Sequence, residues 1–342
     1  MPAHLFRNVC NVSEFQKSCY QSLRGVEEKK LRVVALLDGR PGHVKQTQGI
    51  LQALQELVEV DIREMVVFAQ PFLGVLKQLF LLGCPGKGLV HPLVEGADLL
   101  LGTGSRTHLP LLLYKKSYGI PALTCMSPSA IIRRNFDLCF VPEHDGLAES
   151  HNIMHTVGAP NCSRNKGRHQ DNQGLILLGG VDTKSHFWNS AAIAHMVRDI
   201  VARENSMQWT ISSSPRTPVD TVCLMRELAA AHAHVRFFAY QETQPGWIED
   251  QYDKNSMVWV TSDSISMIYE ALTGGCKVGV IPLIWRKENS KFKRNENLLL
   301  EKGLVLSFSS WQQGQSTWRE NIQLNEAQRC AKRILQIWPS KN

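Results

Sequence analysis

The clearest pattern of apolar and polar positions in the chain spans residues 257–283. Residues 257–260 are all apolar, which is typical of a parallel strand that is buried on both faces. A polar turn follows at 261–264, and its hydroxyl and carboxylate side chains favour a helix N-terminus. The apolar positions after the turn recur at spacings of three and four, at Ile265, Ile268 and Leu272. These segments predict a strand, a turn, an amphipathic helix and a second strand.

The same succession of apolar runs, polar turns and helical stripes recurs along most of the chain. It predicts strands at 31–37, 98–102, 136–141, 175–178, 209–213 and 235–239. We take residues 136–141 as the last strand of the first half. Strands that alternate with helices form parallel sheets. The predicted fold class is therefore α/β, with two Rossmann-like domains that face a cleft.

The predicted organisation has five segments. An N-terminal extension at 1–30 precedes a first domain at 31–158, and the polar stretch 159–173 is predicted to be a linker. A second domain at 174–322 and a closing helix at 323–342, which can pack back on the first domain, complete the chain. A chain of 342 residues is long enough for two domains that each bury a core.

Candidate site residues lie in loops that follow the predicted strands, which is where open α/β sheets bind ligands. In the first domain these residues are Asp38, Arg40, Gly42, His43, Thr103, Gly104 and Ser105. In the second domain they are Gly179, Gly180, Lys184, Ser212, Arg216, Ser262, Asp263, Ser264 and Glu270. The Gly-Gly pair allows backbone N–H groups to face a phosphate, and Lys184 adds positive charge.

His43 lies at the mouth of the first predicted helix, after the glycine-rich sequence Asp-Gly-Arg-Pro-Gly. A histidine in this place suits a general base that accepts a proton from a hydroxyl group. The alternative is a histidine that only completes the loop. The helix that carries Glu270 has two open interpretations as well: its polar turn binds phosphate, or its serines cap the helix and the glutamate is solvated.

Composition excludes several classes of protein. The net charge of +7 suits anionic partners, but the basic residues are scattered and no nucleic-acid-binding motif occurs. Nine cysteines without a CxxC pair indicate a reducing compartment, and the first 30 residues lack the apolar core of a secretory signal. His151 and His155 are four residues apart without an HExxH or acidic partner, so no metal site or cofactor is predicted.

Residues 72–82 form the most apolar stretch of the chain. The stretch contains Lys77 and is shorter than the roughly 18 residues of a membrane-spanning helix. Two interpretations remain: a helix of the core, which the pattern favours, or an interfacial helix flanked by Lys77 and Lys87 on an anionic membrane surface.

The segment 257–283 resembles the donor-binding segment of GT-B glycosyltransferases of the MurG type. The resemblance rests on Glu270-Ala271 with Gly275, on Ile281-Pro282 at the end of the next strand, and on Gly42-His43 in the first loop. It implies that Glu270 binds the ribose hydroxyls of a nucleotide-sugar and that Ser262 to Ser264 face its phosphates. It also implies contact of the first domain with a membrane.

Over residues 31–310 the chain resembles the "elongated mitochondria" family of mitochondrial fission and its bacterial relatives. Bacterial members look like glycosyltransferases, and plant members act as adaptors that recruit a dynamin-related protein to mitochondria. The resemblance implies a metal-independent GT-B enzyme that transfers a sugar from a nucleotide-sugar to a hydroxyl acceptor. The alternative is a non-catalytic adaptor. Either protein would be cytoplasmic or peripheral on a membrane, which in a eukaryote would be the mitochondrial outer surface.

Overall fold

A computed structural model describes residues 30–86, 88–314, 318 and 324–338. The predicted N-terminal extension, apart from Lys30, and Lys87 lie outside the described residues. The described chain forms two six-stranded parallel sheets, one in each half, and a small two-stranded antiparallel ribbon. This arrangement confirms the predicted α/β class.

The first half alternates strands and helices around a sheet of order β2-β1-β3-β4-β5-β6. Its strands are β1 (Leu31–Leu37), β2 (Val60–Val66), β3 (Leu99–Thr103), β4 (Ala122–Cys125), β5 (Leu138–Pro142) and β6 (Ile153–Thr156). Its helices are α1 (Pro41–Gln55), α2 (Phe72–Gly83), α3 (Ser105–Tyr118) and α4 (Ala130–Arg133).

The second half has the sheet order β10-β9-β7-β11-β12-β14. Its strands are β7 (Gln170–Leu177), β8 (His186–Phe187), β9 (Gln208–Ser212), β10 (Val235–Phe238), β11 (Asn255–Thr261), β12 (Lys277–Ile281), β13 (Ile284–Trp285) and β14 (Leu306–Ser307). Its helices are α5 (Ser190–Arg203), α6 (Val219–Ala231), α7 (Trp247–Lys254), α8 (Ile265–Thr273), α9 (Lys291–Glu301) and α10 (Phe308–Gln312), and α11 (Glu326–Ile337) ends the described chain.

Each sheet is covered on both faces, as parallel sheets require. In β1, Val33 and Ala35 point into the core under α1, and the alternate residues Val34 and Leu36 point into the core under α3. In the second half, Trp259 of β11 packs with α5 and α10. Its strand neighbours Val258 and Val260 pack with α7, α8 and α9.

The closing helix α11 packs on the first half although it follows the second half in sequence. Its buried residues Cys330, Ala331 and Ile334 belong to the same core as Ile50 and Leu54 of α1. The chain therefore crosses between the halves twice.

The observed strands differ from the predicted ones at both ends of the first sheet and at the start of the second. Residues 136–141 are not the last strand of the first half, because the short edge strand β6 follows. The edge strand β2 was not predicted, since its charged sequence VDIREMV is only partly buried. β7 begins at Gln170, inside the stretch predicted as a linker.

The apolar stretch at 72–82 forms α2, and the favoured interpretation of a core helix is wrong. No residue of α2 is buried, and Phe72, Leu73 and Phe80 are 75%, 77% and 68% exposed. Only Val75 and Leu82 pack against the core of the first half. No helix within the described ranges is long and apolar enough to cross a membrane.

Both sheets change strand order at one point, and there two neighbouring loops diverge. In the first sheet this point lies between β1 and β3, and in the second sheet between β7 and β11. Open α/β sheets bind ligands at the carboxyl ends of the strands at such a point. The candidate residues around Asp38, Gly104, Gly179 and Asp263 follow these four strands.

Candidate functional site

His43 of the first half is paired with a fully buried carboxylate. β1 ends at Leu37, and the side chain of the next residue, Asp38, is 0% exposed. One oxygen of Asp38 accepts a hydrogen bond from the backbone N–H of Arg40 at 3.1 Å. The other, Oδ2, lies 2.8 Å from Nδ1 of His43, in the first turn of α1. With Nδ1–H donating to Asp38, Nε2 is the nitrogen that can accept a proton.

Gly104 brings the loop after β3 directly against the His43 ring. Its φ of +90° is a conformation that side chains rarely adopt, and a Cβ placed there would lie 2.3 Å from Nδ1 of His43. Thr103 is buried and its hydroxyl lies 2.7 Å from that of Thr47 in α1. The loop and α1 thus hold His43 between them.

We expect Gly104→Ala to destabilise the protein and displace His43, because the new methyl group enters the imidazole. Gly119→Ala is the matched control, since Gly119 has a φ of +69° with no atom within 4 Å of the added Cβ. The control should lower the free energy of unfolding by roughly 1 to 2 kcal/mol. Gly104→Ala should lower the free energy of unfolding by about 1 to 3 kcal/mol more than the control does, because of overpacking. Both losses are measured by denaturant unfolding. Equal losses in the two variants would contradict the close contact.

The remaining residues of this edge are basic or exposed. Ser105 and Gly42 are exposed, and Nη1 of Arg106 lies 3.5 Å from the backbone oxygen of Asp38. Nε of Arg40 lies 3.9 Å from the Asp38 carboxylate. Behind them, burial and the nearby His43 lower the pKa of His108 to about 4, so His108 is neutral at neutral pH. The edge therefore carries two guanidinium groups beside the His43 and Asp38 pair.

Asp263 is the centre of the corresponding edge in the second half. Its buried carboxylate accepts hydrogen bonds from the backbone N–H of Gly180 at 3.1 Å and from the hydroxyl of Thr261 at 2.7 Å. Nη2 of Arg216 donates to the same carboxylate at 2.8 Å. The backbone N–H of Gly179 donates to Thr261 at 2.8 Å. Asp263 thus joins the loops that follow β7, β9 and β11.

These contacts correct the expectation for the Gly-Gly pair. The N–H groups of Gly179 and Gly180 point at Thr261 and Asp263 and do not face an open phosphate site. Both positions need glycine for a packing reason: a Cβ would lie 2.1 Å from the Asp263 carboxylate at Gly179 and 2.0 Å from the Arg216 backbone at Gly180. A Gly-Gly sequence allows either arrangement, and only the fold distinguishes them.

Two predicted serines also bind protein groups. The hydroxyl of Ser212 donates to the backbone oxygen of Phe238 at 3.0 Å, and that of Ser262 accepts from the N–H of Leu283 at 3.1 Å. Ser264 is the N-cap residue of α8 but its side chain makes no capping bond. In the described chain the N–H groups of Ile265, Ser266 and Met267 have no hydrogen-bond partner. The start of α8 therefore offers free N–H groups on this edge, and the side chain of Lys184 is exposed there.

Glu270 lies on α8 and is buried between the two halves. Its side chain is 10% exposed, and its Oε1 accepts a hydrogen bond from Lys45 of α1 at 3.3 Å. The hydroxyl of Tyr252 lies 3.5 Å from Oε2, which is a long hydrogen bond. Burial raises the pKa of Glu270, and the attraction of Lys45 opposes that rise. Glu270 is therefore not the solvated surface glutamate of the alternative interpretation.

Lys45 and Tyr252 were not predicted as site residues. The signal that could have found Lys45 is a polar stripe on α1 at spacings of three and four, formed by Lys45, Gln48 and Gln52. These three side chains, together with Cys162, Glu249 and Tyr252, line a cavity of about 420 Å³ between α1 and α7. In the described residues no three His, Cys, Asp or Glu side chains are placed to hold a metal ion.

The sequence profile of the family described as Mitochondrial fission ELM1 matches residues 41–338. The chain belongs to this family. The match confirms the resemblance to the mitochondrial fission family that the sequence indicated. A search of curated proteins finds no match for this Mitochondrial fission ELM1 member.

Solved structures with a similar fold include two nucleotide-sugar epimerases and a glycosyltransferase by name. A candidate UDP-N-acetylglucosamine 2-epimerase from Listeria monocytogenes has 13% identity and a TM-score of 0.56, covering 92% of this chain and 98% of its own. The UDP-GlcNAc 2-epimerase from Neisseria meningitidis, bound to UDP-GlcNAc, has 13% identity and a TM-score of 0.50, covering 90% and 100%. The glycosyltransferase SnogD from Streptomyces nogalater has 13% identity and a TM-score of 0.46, covering 91% and 96%. At such identities the two epimerase structures confirm the GT-B-like fold alone.

Proposed function

We propose that this protein is a GT-B glycosyltransferase that transfers a sugar from a nucleotide-sugar to a hydroxyl acceptor without a divalent metal. The observation that carries the proposal is the pairing of His43 with the buried Asp38 at the strand-order change of the first sheet. An aspartate that fixes the tautomer and orientation of a histidine prepares it to act as a general base. His43 would accept the proton of the acceptor hydroxyl as the new glycosidic bond forms.

Glu270 would bind the ribose of the donor. A buried carboxylate can accept hydrogen bonds from two hydroxyl groups of one sugar. The phosphates would then lie at the start of α8, where three N–H groups have no partner within the described structure. Helix N-termini stabilise the negative charge that develops on a leaving diphosphate. Lys184 and the outer face of Arg216, whose side chain is 46% exposed, would add positive charge.

Turnover of nucleotide-sugars tests the proposal. Release of nucleoside diphosphate should be followed with uridine, guanosine, cytidine and adenosine nucleotide-sugars, with glycerol as acceptor, in EDTA and in magnesium. We expect release from the sugars of one base at similar rates in both solutions, and release slowed by a factor of about 10² to 10⁴ in His43→Asn. No release from any donor by a folded protein would contradict catalysis.

A second candidate function is favoured by the exposed apolar face of α2. An adaptor for a dynamin-related protein needs a contiguous apolar surface, and so does an enzyme that acts on an anionic membrane. Isolated exposed apolar side chains do not provide such a surface. Phe68, which lies four residues before α2, is also 76% exposed. Contact with a membrane is compatible with either function.

For membrane contact we expect flotation of the protein with liposomes that contain anionic lipid. The double variant Leu76→Glu with Phe80→Glu should lose flotation and keep its melting temperature, because both side chains are exposed. Lys77→Gln is a milder control on the same helix. If the double variant floats as well as the unaltered protein, α2 does not contact the membrane.

A further inference from the structure

Lys45 of the first half joins two carboxylates of the second half. Its Nζ donates to Glu249 of α7 at 3.2 Å and to Glu270 of α8 at 3.3 Å. Glu249 and Lys45 are each 37% exposed, whereas Glu270 is nearly enclosed. The lysine is thus the one positive group that we find against Glu270 in the described part of the chain.

The backbone that carries Lys45 is fixed between the halves by close packing. The thiol of Cys162, on the segment that joins the halves, donates to the backbone oxygen of Lys45 at 3.3 Å. One turn along α1, a Cβ on Gly49 would lie 2.4 Å from the backbone oxygen of Asn161. Asn161 in turn donates to the hydroxyl of Thr273 on α8 at 3.1 Å. The position of Lys45 relative to Glu270 therefore depends on how the two halves are joined.

We propose that Lys45 is a positioning residue for donor binding, which orients the Glu270 carboxylate only when the two halves are closed on each other. The inference rests on the proposed function, because it assigns Glu270 to the ribose. It adds that the first half completes the donor site of the second half. Donor affinity and closure of the cleft are then coupled through one ion pair.

The Glu270 carboxylate keeps free hydrogen-bonding positions while it is bound to Lys45. A carboxylate has about four lone-pair positions on its two oxygens. Lys45 occupies one of them on Oε1, and the Tyr252 hydroxyl is 3.5 Å from Oε2. Two hydroxyl groups can therefore bind without displacing the lysine, which is why we expect Lys45 to support the donor and not to compete with it.

The charge of Glu270 gives the proposal a pH signature. The groups that face Glu270 are Lys45 on α1, Glu249 and Tyr252 on α7, and Cys162 on the connecting segment. Burial and Glu249 raise the pKa of Glu270, and Lys45 opposes them. Without Lys45 the carboxyl would take up its proton at a higher pH. Donor affinity, which needs the carboxylate, would then be lost at a higher pH than in the unaltered protein.

The test is the affinity for nucleoside diphosphate of full-length Lys45→Met, measured by titration calorimetry between pH 5.5 and 8.5. We expect about 10-fold weaker binding at pH 7. The affinity should also be lost at a higher pH on acidification than in the unaltered protein. Lys45→Arg should restore most of the affinity. Lys166→Met is the matched control, because Lys166 lines the same cavity but pairs with Asp253 at 2.5 Å, and it should bind as the unaltered protein does.

The outcomes separate this inference from the proposed function. Unaltered affinity and pH profile in Lys45→Met would overturn the role of Lys45 and leave nucleotide binding intact. Equally weak nucleotide binding in Lys166→Met would overturn it as well, because loss of any positive charge in the cavity would then explain the result. Absence of nucleotide binding in the unaltered protein would overturn both. Lys45→Gln replaces Lys45→Met if the latter does not fold, as judged by circular dichroism.

Discussion

Replacing His43 with alanine should lower the rate of glycosyl transfer by a factor of about 10² to 10⁴, which is the usual contribution of a general base. The affinity for the donor should change little, because His43 lies on the first half and the proposed donor contacts lie on the second. The two quantities are measured by nucleoside diphosphate release and by titration calorimetry. Alanine also removes the hydrogen bond from His43 to the fully buried Asp38, so the loss of stability must be measured alongside.

His43→Asn separates catalysis from stability. The amide nitrogen of asparagine can take the place of Nδ1 and donate to Asp38, while asparagine cannot accept a proton as a base. We therefore expect a rate as low as in His43→Ala with a melting temperature closer to that of the unaltered protein. His195→Ala, at a side chain that is 74% exposed, controls for the loss of a histidine. Loss of donor affinity in His43→Asn would assign His43 to donor binding.

Glu270→Ala should weaken nucleotide binding on the order of 100-fold or more. Two hydrogen bonds from ribose hydroxyls to a charged group would be lost, each worth roughly 1.5 to 3 kcal/mol. Glu249→Ala is the matched control, because it removes the other carboxylate bound to Lys45 and leaves the Glu270 pair in place. The control should bind nearly as well as the unaltered protein. Similar losses in both variants would indicate a general effect of charge around Lys45.

Much of the fold follows from local patterns. Continuous apolar runs such as residues 257–260 predict central strands because both faces of those strands are covered. β2 and β6 have one strand neighbour each and lie at the edges, so their sequences are polar enough to resemble loops. The position of α2 could not be predicted for a different reason. Its residues are apolar almost throughout, which suits a core helix as well as an interfacial one, and only the tertiary structure shows that the helix is exposed.

The candidate site could be predicted where a reactive side chain lies in a loop between a buried strand and a helix. Asp38 and His43 follow a buried strand and open a helix, and the structure brings them to 2.8 Å. The Gly-Gly pair and Asp263 lie at the predicted edge of the sheet. The direction of the glycine N–H groups could not be predicted, because it depends on which side chains pack against them. Lys45 was missed because its partners Glu249 and Glu270 lie more than 200 residues away in sequence.

A thermal-shift panel of uridine, guanosine, cytidine and adenosine diphosphates tests the central claim most directly. The unaltered protein would be measured in EDTA and in magnesium, with Glu270→Ala beside it. Ligands that bind only the folded state raise its stability by RT ln(1 + [L]/Kd), which is about 2.7 kcal/mol at a concentration of 100 Kd. We expect stabilisation by the nucleotide of one base in EDTA, abolished in Glu270→Ala. No stabilisation by any of the four nucleotides in a folded protein would contradict nucleotide-sugar binding and favour the adaptor.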